Sequence, residues 1–92
     1  MSYLTKKDGN HDELIAALAA ACEAVEDTHR LGNGFPDTLA LRDGTIHLIE
    51  IKMPGGKLTP RERAFHDKFT GADNLHIVEN EDEILRAVGA IE

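Results

Sequence analysis

Pro36-Asp37-Thr38-Leu39-Ala40-Leu41-Arg42-Asp43-Gly44-Thr45-Ile46-His47-Leu48-Ile49-Glu50-Ile51-Lys52 is the stretch on which the fold turns. Asp43-Gly44 suits a two-residue hairpin turn, in which both central residues need positive φ. With those two in the turn, Arg42 faces Thr45 and Asp37 comes to lie directly opposite Glu50. Opposed residues point to one face, with Cβ atoms about 4.5–5.5 Å apart. Lys52 points the same way, because side chains alternate with period two. Two opposed carboxylates destabilise a sheet unless something neutralises them. A hard divalent cation with oxygen ligands meets that need. Asp37, Glu50 and Lys52 thus outline a catalytic site. The run from Ile46 to Ile51 is apolar on both faces until Glu50, which predicts a central strand covered on both sides.

Outward from the hairpin, three helix starts share a signature: a capping residue followed three positions later by glutamate. Asn10 with Glu13 predicts a helix to about Cys22, with Leu14, Ile15, Leu18, Ala21 and Cys22 at helical spacing. Thr59 with Glu62, and Pro60 at the first helical position, predicts a second to about Phe69. Asn80 with Glu83 predicts a third, turning Ile84, Leu85 and Val88 inward and ending near Gly89. Strands are expected at about 24–29, 38–42, 46–53 and 75–78, the last parallel to the central one across the second helix. The result is an α/β (α+β) chain, a mixed sheet flanked by helices in the order α-β-β-β-α-β-α. The first and second helices are expected on its two faces.

At 92 residues the chain reads as one domain, 1–92, with a core of modest size. Phe35, Phe65, Phe69 and Tyr3 are its only aromatics and alanine fills much of the rest, so self-association is expected. Cys22 is the sole cysteine, which excludes an intrachain disulfide. The chain has no apolar run of membrane-spanning length and no signal-peptide pattern, so the reading is a soluble cytoplasmic protein with no membrane partner. A net charge of −7 argues at first sight against nucleic acid. Its distribution answers the objection: residues 52–68 balance at +3, leaving −10 for the rest. A basic stripe beside a cation site serves phosphate through the local field. Lys57 and Arg61, with Arg30 on the glycine loop, are the candidate DNA-phosphate contacts.

Gly34-Phe35-Pro36-Asp37, then Glu50-Ile51-Lys52, then Lys57-Leu58-Thr59-Pro60 leading to Phe65-His66 resemble the VRR-NUC family of nucleases. More broadly they resemble the PD-(D/E)xK restriction-endonuclease-like superfamily. The likeness runs from about Lys6 to Val88, including Asp8-Gly9-Asn10 and Glu26-Asp27-Thr28, and is of the stand-alone type found in phages and bacteria. It implies a restriction-endonuclease-like fold and Mg²⁺- or Mn²⁺-dependent hydrolysis of DNA phosphodiesters. Asp37 and Glu50 are implied metal ligands, the main-chain carbonyl of Ile51 a third, and Lys52 completes the catalytic set. Stand-alone members are similar to Holliday-junction resolvases, which implies a homodimer favouring branched, flap or junction DNA in the cytoplasm of a bacterium or phage-infected host. The superfamily often adds an acid from the first helix, for which Glu13 is the nearest match. Many relatives carry glutamine where Glu62 stands.

Each signal has a plainer explanation. Pro-Asp favours turns, Glu-x-Lys is commonly a solvated ion pair, and capping accounts for Glu13 and Glu62. The joint register of Asp37, Glu50 and Lys52 is what lifts them above it. The five histidines show no paired spacing on one helix, which argues against a zinc site. A catalytically idle nucleic-acid-binding or assembly module of the same fold is the competing expectation, favoured by the low basicity and Glu62.

Overall fold

The Asp43-Gly44 turn carries positive φ at both residues, +50° and +79°, as its hairpin requires. In the computed structural model, which describes residues 10–92, it joins β2 (Thr38–Arg42) to β3 (Thr45–Ile51). The antiparallel register runs from Arg42↔Thr45 to Thr38↔Ile49, as the turn predicts. β1 (Ala24–Asp27) adds antiparallel to β2, and β4 (Leu75–Val78) adds parallel to β3. The sheet is mixed, in the order β1-β2-β3-β4. With helices α1 (His11–Ala21), α2 (Pro60–Lys68) and α3 (Glu81–Ala87), the order is α-β-β-β-α-β-α, consistent with a restriction-endonuclease-like fold. Tyr3 and the Lys6, Asp8 and Gly9 positions of the family likeness lie outside the described residues. Among the described residues, no helix is long and apolar enough to cross a membrane.

The two faces of the sheet are covered unequally. Leu14 and Leu18 of α1 and Ile84 of α3, with Val88 just beyond it, pack on Ala40, Ile49, Ile51 and Val78. That single face is the core. Helix α2 lies on the other side and buries no residue fully. It is held by the ring contact of Phe65 with Phe35, centroids 5.4 Å apart, and by the Glu62 pair with Lys52 at 2.8 Å, while Phe69 at its end packs on Phe65 one turn back. Beyond Phe69 the face stays partly open, and Ile46 and Ile77 are about half exposed. The expectation of a fully covered central strand is corrected here: α1 and α3 share one face, and nine residues of α2 are too few to close the other.

Two of the three caps form as read. Thr59 and Glu62 make a complete capping box, and Asn80 Oδ1 accepts from the Glu83 N–H at 2.9 Å. Asn10 does otherwise. Its amide donates to the carbonyls of Lys52 (3.3 Å) and Glu79 (2.8 Å), tying α1 to the ends of two neighbouring parallel strands. Those carbonyls lie where the ladder stops, and a buried acceptor without a donor is costly. Bridging them outweighs capping, and Glu13 is left exposed.

Candidate active site

Asp37 leads into β2 and continues its register by one step beyond the Thr38↔Ile49 pair, opposite Glu50. The preceding backbone is pinned: the Thr28 N–H donates to the Asp37 carbonyl and the Thr28 hydroxyl to the Pro36 carbonyl, both at 2.7 Å. Asp37 Oδ2 accepts from the Ile51 N–H at 2.9 Å. In an extended strand a residue's N–H and C=O leave by the same edge, so the Ile51 carbonyl also faces the Asp37 side, past the end of β2.

Glu50 is 1% exposed. Its Oε1 is buried with no hydrogen-bond partner among the described residues. Burial foremost, then the Asp37 carboxylate and then Glu62, push it up to about 10, with Lys52 opposing. A buried carboxylate in that setting is satisfied by a proton or by a cation. Lys52 Nζ stands 3.9 Å from Glu50 Oε2 and 2.8 Å from Glu62 Oε1. Burial acts to raise Glu62, but the bonds from Lys52 and Thr59 outweigh it and hold that carboxyl below its ordinary value. Asp37, Glu50, Lys52 and Glu62 therefore form one continuous charged cluster at the end of β3, and the donor set fits a hard cation. Capping alone accounted for Glu62 in the sequence. Its second role, as the partner of Lys52, arises because the first turn of α2 lies over the even-numbered face of β3.

A cleft of about 430 Å³ opens on this cluster, lined by His29, Gly34, Phe35, Asp37, Arg61 and Glu62 among others. Gly34 makes it possible. Its φ is +82°, and a Cβ there would sit 2.1 Å from the Arg61 carbonyl. Among the expected phosphate contacts, Lys57 and Arg30 are exposed, and Arg61 Nη1 donates to Asn33 Oδ1 at 2.8 Å. His66 is half-buried on α2, where burial holds its imidazole below the usual value.

Glu13 does not join the cluster. It lines a groove between α1 and the C-terminal segment, with Glu81, Leu85 and Ile91. The residue that α1 buries near its start is His11, whose Nε2 lies 3.3 Å from Asp27 Oδ2. His29 Nδ1 approaches the other oxygen of Asp27 at 2.6 Å. Together these three could hold a metal ion. Residue spacing hid this cluster, since its members come from a helix, a strand end and a loop.

The family model described as the VRR-NUC domain matches residues 6–79 of the chain. No curated protein matches it.

Proposed function

The chain belongs to the VRR-NUC domain family, a membership that indicates a nuclease-type function with DNA as substrate, and we propose that it is a divalent-metal-dependent DNA endonuclease. The observation that carries this reading is Glu50 Oε1, buried, unpartnered and beside a second carboxylate. Asp37, Glu50 and the Ile51 carbonyl would hold Mg²⁺ or Mn²⁺. Such an ion, when bound, polarises a phosphodiester oxygen and lowers the pKa of a coordinated water.

The chain's own residues do the rest. Lys52, positioned by Glu62 and Glu50, brings a positive charge to the side of the site where a phosphorane-like transition state builds negative charge. The exposed Lys57 and Arg30, and Arg61 at the cleft wall, attract the DNA backbone. Gly34 lets the loop and α2 approach closely enough to form that wall.

Branched or junction DNA is the proposed substrate and a homodimer the proposed assembly. Half-exposed Ile46, Phe69 and Ile77 on the open side of the sheet support self-association. A two-fold dimer carries two sites for two strands. The test is incubation of the chain and of Asp37→Ala with a four-way junction, a flap and a linear duplex in Mg²⁺ or Mn²⁺. Cleavage of the branched substrates by the unaltered chain alone is expected. Inertness of the unaltered chain toward all three would refute the enzyme, and equal cutting of the linear duplex would refute the selectivity. An idle binding module is the second reading, favoured by the tight Glu62 contact with Lys52. Under it, Glu50→Ala would leave Mn²⁺ binding unchanged.

A further inference from the structure

The side chains of His11, Asp27 and His29 converge on the α1 side of the sheet. Asp27 pairs with buried Thr38, so it faces α1, whereas Asp37 next along faces α2. One donor atom from each of the three lies within 4.8 Å of the other two. We propose that these residues form a second cation site with its own ligands, sharing with the Asp37–Glu50 cleft only the His29 that borders both, and selective for Zn²⁺ or a similar borderline transition metal over Mg²⁺.

The donor set points to that class of ion. Two imidazoles and one carboxylate suit Zn²⁺ or Co²⁺, while Mg²⁺ favours oxygen ligands. The geometry is close to what a tetrahedral ion needs. With metal–ligand bonds of about 2.0–2.1 Å, neighbouring donors sit roughly 3.3 Å apart. His11 Nε2 and Asp27 Oδ2 are 3.3 Å apart already. Two imidazoles on one such ion have centroids about 5 Å apart. The His11 and His29 rings stand at 5.4 Å and 64°. The 2.6 Å contact of His29 Nδ1 with Asp27 Oδ1 must open and the three donors, within 4.8 Å of one another, must draw in around the ion, which replaces the shared proton.

The surroundings hold the donors in place. His11 is 1% exposed, with its ring fixed beneath α1. The His29 N–H donates to Asp27 Oδ1 at 3.1 Å and orients the carboxylate. Thr28, between the two, is bonded to the Pro36 and Asp37 carbonyls. The Asp27 side chain keeps about a third of its surface exposed, which leaves a way in and room for a water as fourth ligand. Acidic residues crowd this part of the chain, with Asp12, Glu13, Glu23 and Glu26 near in sequence, so the local field favours a cation. A bound ion would tie α1, the end of β1 and the glycine loop into one unit. A chain of this size without a disulfide gains most from such a link.

The test uses the untagged 92-residue chain carrying Asp37→Asn and Glu50→Gln, which removes the carboxylate pair and keeps this result independent of the nuclease reading. Titration with Co²⁺, followed by visible absorption, is expected to show one bound ion, displaced by Zn²⁺ and not by Mg²⁺ in excess. Adding Asp27→Asn or His29→Gln should weaken binding at least about tenfold. Both side chains are partly exposed, so these variants are chosen over changes at buried His11, with circular dichroism to verify folding. His76→Gln, which alters the other histidine pair, should bind as before. No Co²⁺ binding in the carboxylate-free background, displacement by Mg²⁺, unchanged binding after Asp27→Asn and His29→Gln, or loss on His76→Gln would each overturn the proposal.

Discussion

Replacing Glu50 by glutamine should stabilise the metal-free protein while destroying its metal response. The carboxyl is held up to about 10, against an ordinary 4.5, by burial first and by Asp37 and Glu62 after it. It therefore binds a proton more tightly folded than unfolded. For a raised carboxyl, stability falls as pH climbs from the unfolded value toward the folded one, here from 4.5 toward about 10. The slope is about 1.36 kcal/mol per pH unit, so by neutrality the loss is on the order of 3 kcal/mol. Glutamine keeps the shape, carries no charge and offers donors to Asp37. We expect it to recover roughly 1–3 kcal/mol at pH 7, the lower end allowing for imperfect pairing of the buried amide. Urea unfolding in EDTA, at several pH values from about 5 to 8.5, reads this directly. The difference between the two proteins isolates Glu50, because His47, His66 and His76 titrate in both. Mn²⁺ at a hundred times its dissociation constant should then stabilise the unaltered chain by about 2.7 kcal/mol and leave the variant unmoved. Parallel stability curves in EDTA, or a variant less stable at the alkaline end, would refute the reasoning.

Gly34→Ala should cost more than about 2 kcal/mol, since it adds both a positive-φ penalty and a clash with the Arg61 backbone; the urea midpoint measures it, and a neutral effect would contradict the packing of the loop on α2. Lys57→Ala and Arg61→Ala should each weaken DNA binding alike across sequences and lower the salt slope by about one, as fluorescence anisotropy at several salt concentrations would register. His47 Nδ1 and His76 Nε2 stand 3.0 Å apart, and burial holds both rings below their ordinary 6.5. A lowered imidazole binds protons more weakly folded than unfolded, so stability should drop as pH falls below 6.5, and His76→Gln should flatten that limb.

The parts of the fold legible in the sequence are those set by local backbone chemistry. Asp43-Gly44 fixes a turn type, the turn fixes the register, and the register brings Asp37 to Glu50. Thr59, Pro60 and Glu62 likewise act within one helical turn. What stayed illegible depends on partners distant in sequence. A capping preference at Asn10 carries no knowledge of the strand-end carbonyls at Lys52 and Glu79. His11 and His29 show no ligand spacing because a helix, a strand and a loop must first assemble around Asp27. The alternation of β3 describes a strand buried on both faces, yet how far α2 extends over the second face depends on its length and its Phe65 anchor.

Charge balance at the site explains how an acidic chain can serve a polyanion. Pushed up to about 10, the Glu50 carboxyl favours its protonated form at neutral pH in the metal-free chain, and Glu62 offsets the charge of Lys52, so phosphate gains little from that lysine. In the proposed mechanism a divalent ion would displace the Glu50 proton and bring two positive charges, raising the site's charge by one. Glu62 sharpens this dependence: a neutral side chain there would leave the empty site less negative and Lys52 freer to meet phosphate on its own. With glutamate in that place, phosphate affinity and cation affinity rise together, and linkage requires the coupling to act in both directions. On the proposed reading, DNA engagement is conditional on the metal because the ion, rather than Lys52 alone, supplies the positive charge that phosphate meets.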